Sequence, residues 1–342
     1  MNGRENLRRT IDFDSPAYIP HALSVDFAFI RDKDEQAARQ VQDLLRQLPR
    51  DLYSMGVWIN RQETRDGVTR KRDEWGTDWI DEGHGMVTCG YPLVDGYEWM
   101  DKHPFPDPAR PDRFQKADVV LAEDPPQYRL GTVWFTLFER LWMLRGMENL
   151  LTDPHLCPDA FMRLKSRVVE INLALIDAWC SRDVDGIYFS DDWGGQSTLL
   201  ISPADFRRFY AAEYRRMFRK VRDAGKHVWL HSCGNITDLI PDFIDLGVNV
   251  LNPVQPQAMD VRRLARDFGG RICFNGGLDV QRTLIQGPEA AIRDELKTLV
   301  DLFGRFNGGY IVNTSHSIMP ETPLRHVAVL LQTYLALCGF QG

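Results

Sequence analysis

Val184-Asp185-Gly186-Ile187-Tyr188-Phe189 runs straight into Ser190-Asp191-Asp192-Trp193-Gly194-Gly195-Gln196, and a helix then opens at Pro203 behind Ser202. The apolar run is too short and too continuous to alternate between a wet and a dry face, so it reads as a strand buried on both sides. Its polar residues gather in the loop that follows. The same unit recurs at His227 to His231, Val248 to Leu251, Arg271 to Phe274 and Tyr310 to Val312, each strand leading into a polar loop and then a helical stretch. The helices are read as Pro203 to Gly225, Ile236 to Leu246, Asp260 to Phe268, Glu289 to Phe303 and a last one from near Pro323. Such alternation is the pattern of a parallel sheet covered by helices.

Upstream the pattern is looser. Residues 1 to 17 read as a short polar helix, Tyr18 to Val25 as a first strand, and Lys33 to Leu48 as a helix with Ala38, Val41, Leu44, Leu45 and Leu48 on one face. After the apolar segment Asp51 to Ile59 the regularity is lost for about seventy residues, longer than compact loops run. Residues 60–130 are therefore read as an excursion over the core, with a Trp-rich hairpin at Asp73 to Trp79. A strand at Gly131 to Phe135, a helix from Leu137 to Leu151 ended near Pro154, and a long amphipathic helix from Phe161 to Trp179 follow. With about three upstream strands the count reaches eight, which favours a single-domain, closed (β/α)8 TIM barrel over an open doubly wound sheet. No Gly-rich phosphate fingerprint opens a helix, since Gly131-Thr132-Val133 lacks the later glycines.

The 41 Lys and Arg against 48 Asp and Glu give a net charge of −7, which argues against a large footprint on nucleic acid. The six cysteines lack a disulfide-like spacing and Met1 to Thr10 is charged, so a reduced, cytoplasmic protein is expected. No run approaches the roughly 20 apolar residues of a membrane span. Val327 to Leu337 reads as a short core helix.

In a barrel every loop that follows a strand opens on the same rim, so Asp191, Asp192, Gln196, His231, Cys233, Asn252, Gln255, Asn275, Asp279 and His316 converge. Taken singly, each could as well cap a helix or bond a loop backbone. His231 and Cys233 leave the strand on one side and read either as a metal pair or as a bonded core histidine beside a small apolar cysteine. His316 would complete a three-ligand zinc site with an open fourth position, and Asp192 would close the coordination or orient a histidine. Adjacent Asp191 and Asp192 repel, which would hold one of them protonated as a general acid; the alternative has Asp191 turned away. Trp75, Trp79 and Trp193 read as a wall for an aromatic or tetrapyrrole ligand, or as core. His84, His103, His155 and Cys338 have no comparable neighbours and read as structural.

Asp73-Glu74-Trp75-Gly76, Ser190 through Gln196, His231-Ser232-Cys233-Gly234-Asn235, Asn252-Pro253-Val254-Gln255-Pro256, Gly276-Gly277-Leu278-Asp279 and Gly309 through His316 to Pro320 and Pro323 together resemble the uroporphyrinogen decarboxylase superfamily, which includes the methylcobamide:coenzyme M methyltransferases. The resemblance covers roughly residues 70–340 and implies the (β/α)8 fold. In those methyltransferases a His-x-Cys element and a distant cysteine hold zinc, which activates a thiol that takes a methyl group from a corrinoid. Here His316 stands where that cysteine is expected. The decarboxylases carry a histidine there, in a stretch resembling Asn313-Thr314-Ser315-His316, use no metal, and grip the acidic tetrapyrrole with an arginine-rich N-terminal motif. Ile11 to Val25 contains no arginine, and Arg140 and Arg145 sit in an apolar helix. An unpaired substrate carboxylate in a closed pocket would cost several kcal/mol.

The resemblance therefore implies a zinc enzyme of the methyltransferase-like branch, demethylating a small methylated or methoxylated compound through a corrinoid protein or a thiol acceptor. In that reading His231, Cys233 and His316 hold the metal, Asp192, Asp191 and His316 are catalytic, and Trp193, Gln196, Asn252, Gln255, Asn275, Asp279 and Trp75 bind substrate. The alternatives are a metal-free decarboxylase of a tetrapyrrole or small aromatic acid, with Asp192 stabilising a cationic intermediate, and a non-catalytic metal- or tetrapyrrole-binding paralogue. A homodimer is compatible with either class.

Overall fold

A computed structural model describes residues 1–57, 60–65, 68–81 and 86–338. The expected strand Asp51 to Ile59 runs into residues outside this set, and His84 lies outside it. Eleven strands are found among the described residues: β1 (Leu52–Met55), β2 (Asn60–Arg65), β3 (Val68–Asp73), β4 (Asp78–Asp81), β5 (Val87–Gly90), β6 (Tyr128–Val133), β7 (Gly186–Ser190), β8 (His227–His231), β9 (Val250–Val254), β10 (Cys273–Leu278) and β11 (Tyr310–Thr314). Seven make one parallel sheet in the order β1-β6-β7-β8-β9-β10-β11. Apart from the step from β1 to β6, consecutive strands are neighbours, with helices between them. β6, β9 and β10 are buried along their whole length, as strands of a helix-covered parallel sheet should be, although Arg129, Asn252 and Asn275 interrupt their apolar sequence.

The expected first strand, Tyr18 to Val25, is reduced to one parallel bridge between His21 and Val312. The Ala22 N–H donates to the Val312 carbonyl and the Val312 N–H to the Pro20 carbonyl, both at 2.9 Å. Pro20 has no N–H with which to extend the ladder, so the segment sits beside β11 without becoming a strand. Among the described residues the parallel sheet thus has seven strands where eight were expected.

Between β1 and β6 lies a four-stranded antiparallel sheet, β2-β3-β4-β5. Its β3–β4 turn is the Trp-rich hairpin. The Asp73 carboxylate accepts the N–H groups of Trp75 and Thr77 at 3.0 and 2.9 Å, and Gly76 takes φ +80°, which only glycine adopts without strain. Trp79 and Thr88 from this sheet line the main cavity, so it flanks the mouth.

The helix expected from Leu137 to Leu151 is two helices, Phe138–Arg145 and Met147–Leu156, broken at Gly146 with φ +80°. Pro154 sits inside the second of them instead of ending it. The helix expected from Pro203 likewise divides at Tyr210 into Pro203–Phe209 and Ala211–Asp223. Pro158 occupies the first turn of Pro158–Cys180, where its missing N–H is no loss. Among the described residues no helix is long and apolar enough to cross a membrane.

Candidate active site

Parallel register sets the first contacts. Ser190 at the end of β7 lies opposite His231 at the end of β8, which lies opposite Asn252 in β9. As β8 opens into its loop, Cys233 folds back until its Sγ is 3.3 Å from His231 Nε2. Asp192 comes from the next loop over. Its Oδ1 accepts the Cys233 N–H at 2.7 Å and stands 3.7 Å from His231 Nε2. One ligand atom from each of Asp192, His231 and Cys233 lies within 4.8 Å of the others.

Two glycines permit that approach. Gly234 has φ +82°, and a Cβ there would meet the Gly194 carbonyl oxygen at 2.2 Å; a Cβ on Gly194 would meet the Asn235 nitrogen at 2.7 Å. The loops after β7 and β8 cross backbone to backbone, which brings Asp192 under Cys233.

Hydrogen bonding fixes which histidine nitrogen faces the sulfur. Asn275 Oδ1 accepts from Asn252 Nδ2 at 3.1 Å and from Asn313 Nδ2 at 3.0 Å, so the amide oxygen of Asn252 points the other way. That oxygen lies 2.7 Å from His231 Nδ1 and 3.0 Å from the Tyr188 hydroxyl that donates to it. His231 therefore carries its proton on Nδ1 and presents a lone pair at Nε2, toward Cys233 and Asp192.

The cluster opens on a cavity of about 670 Å³, walled by Trp134, Phe135, Trp142 and Tyr188 and edged by Asp192, His231, Asn252, Asn313 and His316. Glu139 is part of the lining, 5% exposed, with Ser190 Oγ donating to its Oε2 at 2.8 Å. Burial, then the charges of Asp192 and Asp191, pushes the Glu139 carboxyl well above the usual carboxylate range. The same effects, burial first and Asp192 second, raise the Cys233 thiol. Desolvation and then His231 lower the pKa of His316, with Asp192 opposing.

The sequence model of the family described as "Uroporphyrinogen decarboxylase (URO-D)" matches residues 135–336. This chain belongs to the uroporphyrinogen decarboxylase (URO-D) family. It is 29% identical over 177 residues to a uroporphyrinogen decarboxylase of Thermus thermophilus, 51% of this chain and 49% of the relative. It is 27% identical over 165 residues to one of Salinispora tropica, 48% and 42% of the two chains. The chain spans about half the length of the curated relatives it matches. A methyltransferase from Methanosarcina mazei shares the fold, with a TM-score of 0.68 at 15% identity over 98% of this chain and 99% of that one.

Within this URO-D family framework the expected site residues separate. Asp192, His231, Asn252 and His316 line the cavity, and Cys233 joins them from the adjoining turn. His316 is exposed on the lining and stands outside the close group of three, where Asp192 takes its place. Asp191 is a correction. It is fully buried and turned away, its two oxygens accepting the N–H groups of Leu137, Phe138 and Glu139 at 2.6 to 3.1 Å and the Tyr214 hydroxyl, so it anchors the start of helix Phe138–Arg145.

Trp193 is core instead of wall, fully buried and stacked on Phe138 with ring centroids 4.4 Å apart. Gln196, Gln255 and Asp279 brace the rim. Gln196 donates to the Gln257 carbonyl, Gln257 donates to Asp279, and Gln255 accepts from the Gly234 N–H. Asn275 acts through Asn252 and Asn313, and Trp75 lines a separate, smaller cavity. Glu139, Tyr188 and Asn313 also line the cavity without belonging to the expected set. Glu139 has one visible signal, the single carboxylate of helix Phe138–Arg145.

Proposed function

We propose that this protein is a zinc-dependent methyl-transfer enzyme, taking a methyl group from a small methylated or methoxylated compound and passing it to a corrinoid on a partner protein or to a thiol. The reading is carried by the convergence of Asp192, His231 and Cys233 within 4.8 Å. One carboxylate, one imidazole lone pair and one sulfur form a donor set that suits zinc and leaves a coordination position over. The set fits the ion in charge as well, because the Asp192 carboxylate opposes ionisation of the Cys233 thiol beside it and a dication would relieve that opposition. When bound, zinc supplies Lewis acidity that lowers the pKa of a thiol or water beside it. His316, on the same cavity lining as Asp192 and His231, would be the further residue to hold the ion.

The chain's own groups have separable roles. Asn252 and Tyr188 hold the His231 ring with Nε2 as the ligand atom. Asp192 ties down the Cys233 backbone. Glu139, kept protonated by burial, takes the Ser190 hydroxyl on Oε2 and holds its proton at Oε1 for a leaving oxygen. Trp134, Phe135 and Trp142 exclude water from the reacting group.

Metal-free decarboxylation is the second reading, favoured by the names of the curated relatives and by His316 and Asp192 facing one cavity. Elemental analysis of protein purified without chelator separates the two. About one zinc per chain, lost in His231→Ala with an unchanged far-UV circular dichroism spectrum, supports the first; less than about a tenth of an equivalent in wild type and in Cys233→Ala supports the second.

A further inference from the structure

A second cavity, of about 40 Å³, shares Trp79, Trp134 and Phe135 with the main one and adds Lys71, Arg113 and Arg140. The Arg140 side chain is 3% exposed and makes one ion pair, from Nη1 to Asp73 Oδ2 at 2.8 Å. Its Nε is buried and has no hydrogen-bond partner among the described residues. A guanidinium held in a low-dielectric pocket with a donor unused is a costly arrangement unless something arrives to accept from it. Asp73 cannot do so. Its Oδ1 already takes two backbone N–H groups, and its Oδ2 takes the Trp79 indole and Arg140 itself.

The charges point the same way. Arg113 is closed by a two-pronged bond to Glu74, at 2.8 and 2.5 Å, and Arg140 by Asp73. Among the described residues Lys71 is left without a carboxylate, its Nζ 5.3 Å from the Trp79 ring. Three cations among the described residues therefore face two carboxylates around the cavity. The Arg140 guanidinium also lies against the rings of Trp75 and Phe135, at 4.8 and 5.5 Å, so its planar face is covered and its edge is what remains to bond. Phe135 in the shared wall has φ +48°, a left-handed conformation that a bulky residue adopts under strain, as residues at ligand sites do.

We propose that this small cavity is a carboxylate subsite, and that the substrate is a small monocarboxylic acid whose body occupies the main cavity while its carboxylate accepts from Arg140 Nε. A planar carboxylate matches the guanidinium edge, and its single charge cancels the one uncompensated cation; a phosphate would overshoot. A volume of this size holds a few waters or one such group. The assignment rests on the proposed reaction only for the word substrate, because binding requires no metal.

Titration calorimetry with benzoate, and with benzamide as its neutral counterpart, tests it on the full-length chain. Wild type should bind benzoate at least about tenfold more tightly than benzamide, Arg140→Met should abolish that preference, and Arg140→Lys should keep part of it. Equal affinities in wild type, or an undiminished preference in a folded Arg140→Met, overturn the subsite. A crystal of wild type with 4-bromobenzoate, in which the bromine marks the orientation, needs no variant. Its carboxylate within hydrogen-bond distance of Arg140 Nε supports the proposal, and a carboxylate elsewhere with only water on Nε overturns it. Stoichiometric zinc without benzoate preference removes the subsite alone; benzoate preference without zinc removes the methyl-transfer reading alone.

Discussion

Asp191 and Asp192 are adjacent in the chain, yet their surroundings are opposites. Asp191 is saturated, with three backbone N–H groups and a tyrosine hydroxyl on two oxygens and no exposed surface. Asp192 is half open, spends one bond on the Cys233 N–H, and keeps the rest of its carboxylate turned to the cavity with His231 and Cys233. Successive side chains at a strand end point to opposite faces, so one carboxylate stays with the helix layer and the other reaches the site. A buried polar group that has all its partners holds the structure together; one that has some to spare can act on something else.

The largest effect that would sharpen this contrast is on stability. Asp191→Ala should destabilise the protein by about 3–5 kcal/mol, because it strands donors at a buried helix start, and a chemical denaturation midpoint within experimental error of wild type would erase the distinction. His21 belongs with Asp191 on the saturated side. Its Nε2 donates to the Pro49 carbonyl at 2.8 Å and its Nδ1 accepts the Leu23 N–H at 3.1 Å.

Burial lowers the His21 pKa to about 4. In the unfolded chain it lies near 6.5, so above that pH the native state keeps its full stability. As pH falls toward 4 the unfolded chain binds a proton that the native state refuses, and about 3 kcal/mol is lost. Urea midpoints measured across that window should fall in wild type and fall less in His21→Asn; parallel curves would remove His21 as the cause.

On the open side the effects shift from folding to binding. Asp192→Asn keeps an acceptor for the Cys233 N–H but removes the charge, so zinc affinity should drop by about a hundredfold while the melting temperature of the metal-free protein stays within about 2 °C. A loss of several degrees would move Asp192 to the structural side. The smallest effect is expected one bond further out. Asn252→Ala frees the His231 ring and should weaken zinc by about tenfold, and an unchanged affinity would show that Tyr188 alone holds the tautomer.

How much of this could be read from the chain varies with distance along it. His231 and Cys233 are two residues apart, and their joint projection from a strand end follows from local geometry. Asp192 arrives from the neighbouring loop and needed only the inference that adjacent loops share a rim. Tyr188 and Asn313 were not legible, and Glu139 showed only as a lone carboxylate, because their place in the cavity depends on where the helix after β6 starts and on the register of β7 and β11. Trp193 was misread for the same reason. Nothing local tells a tryptophan in a polar loop that Phe138, Phe206, Tyr210 and Tyr214 will close around it.

The sequence by itself determined the alternation of strand, polar loop and helix from Val184 onward, and with it the collection of the reactive loop residues at one end of a parallel sheet, because periodicity and turn chemistry are short-range properties. Only the tertiary structure decided which of two neighbouring carboxylates is spent on a helix start, which nitrogen of His231 is bare, and that Arg140 keeps an unused donor beside an aromatic wall. Those outcomes depend on which partners long-range packing supplies to each buried group, and that supply is not written near the residue itself.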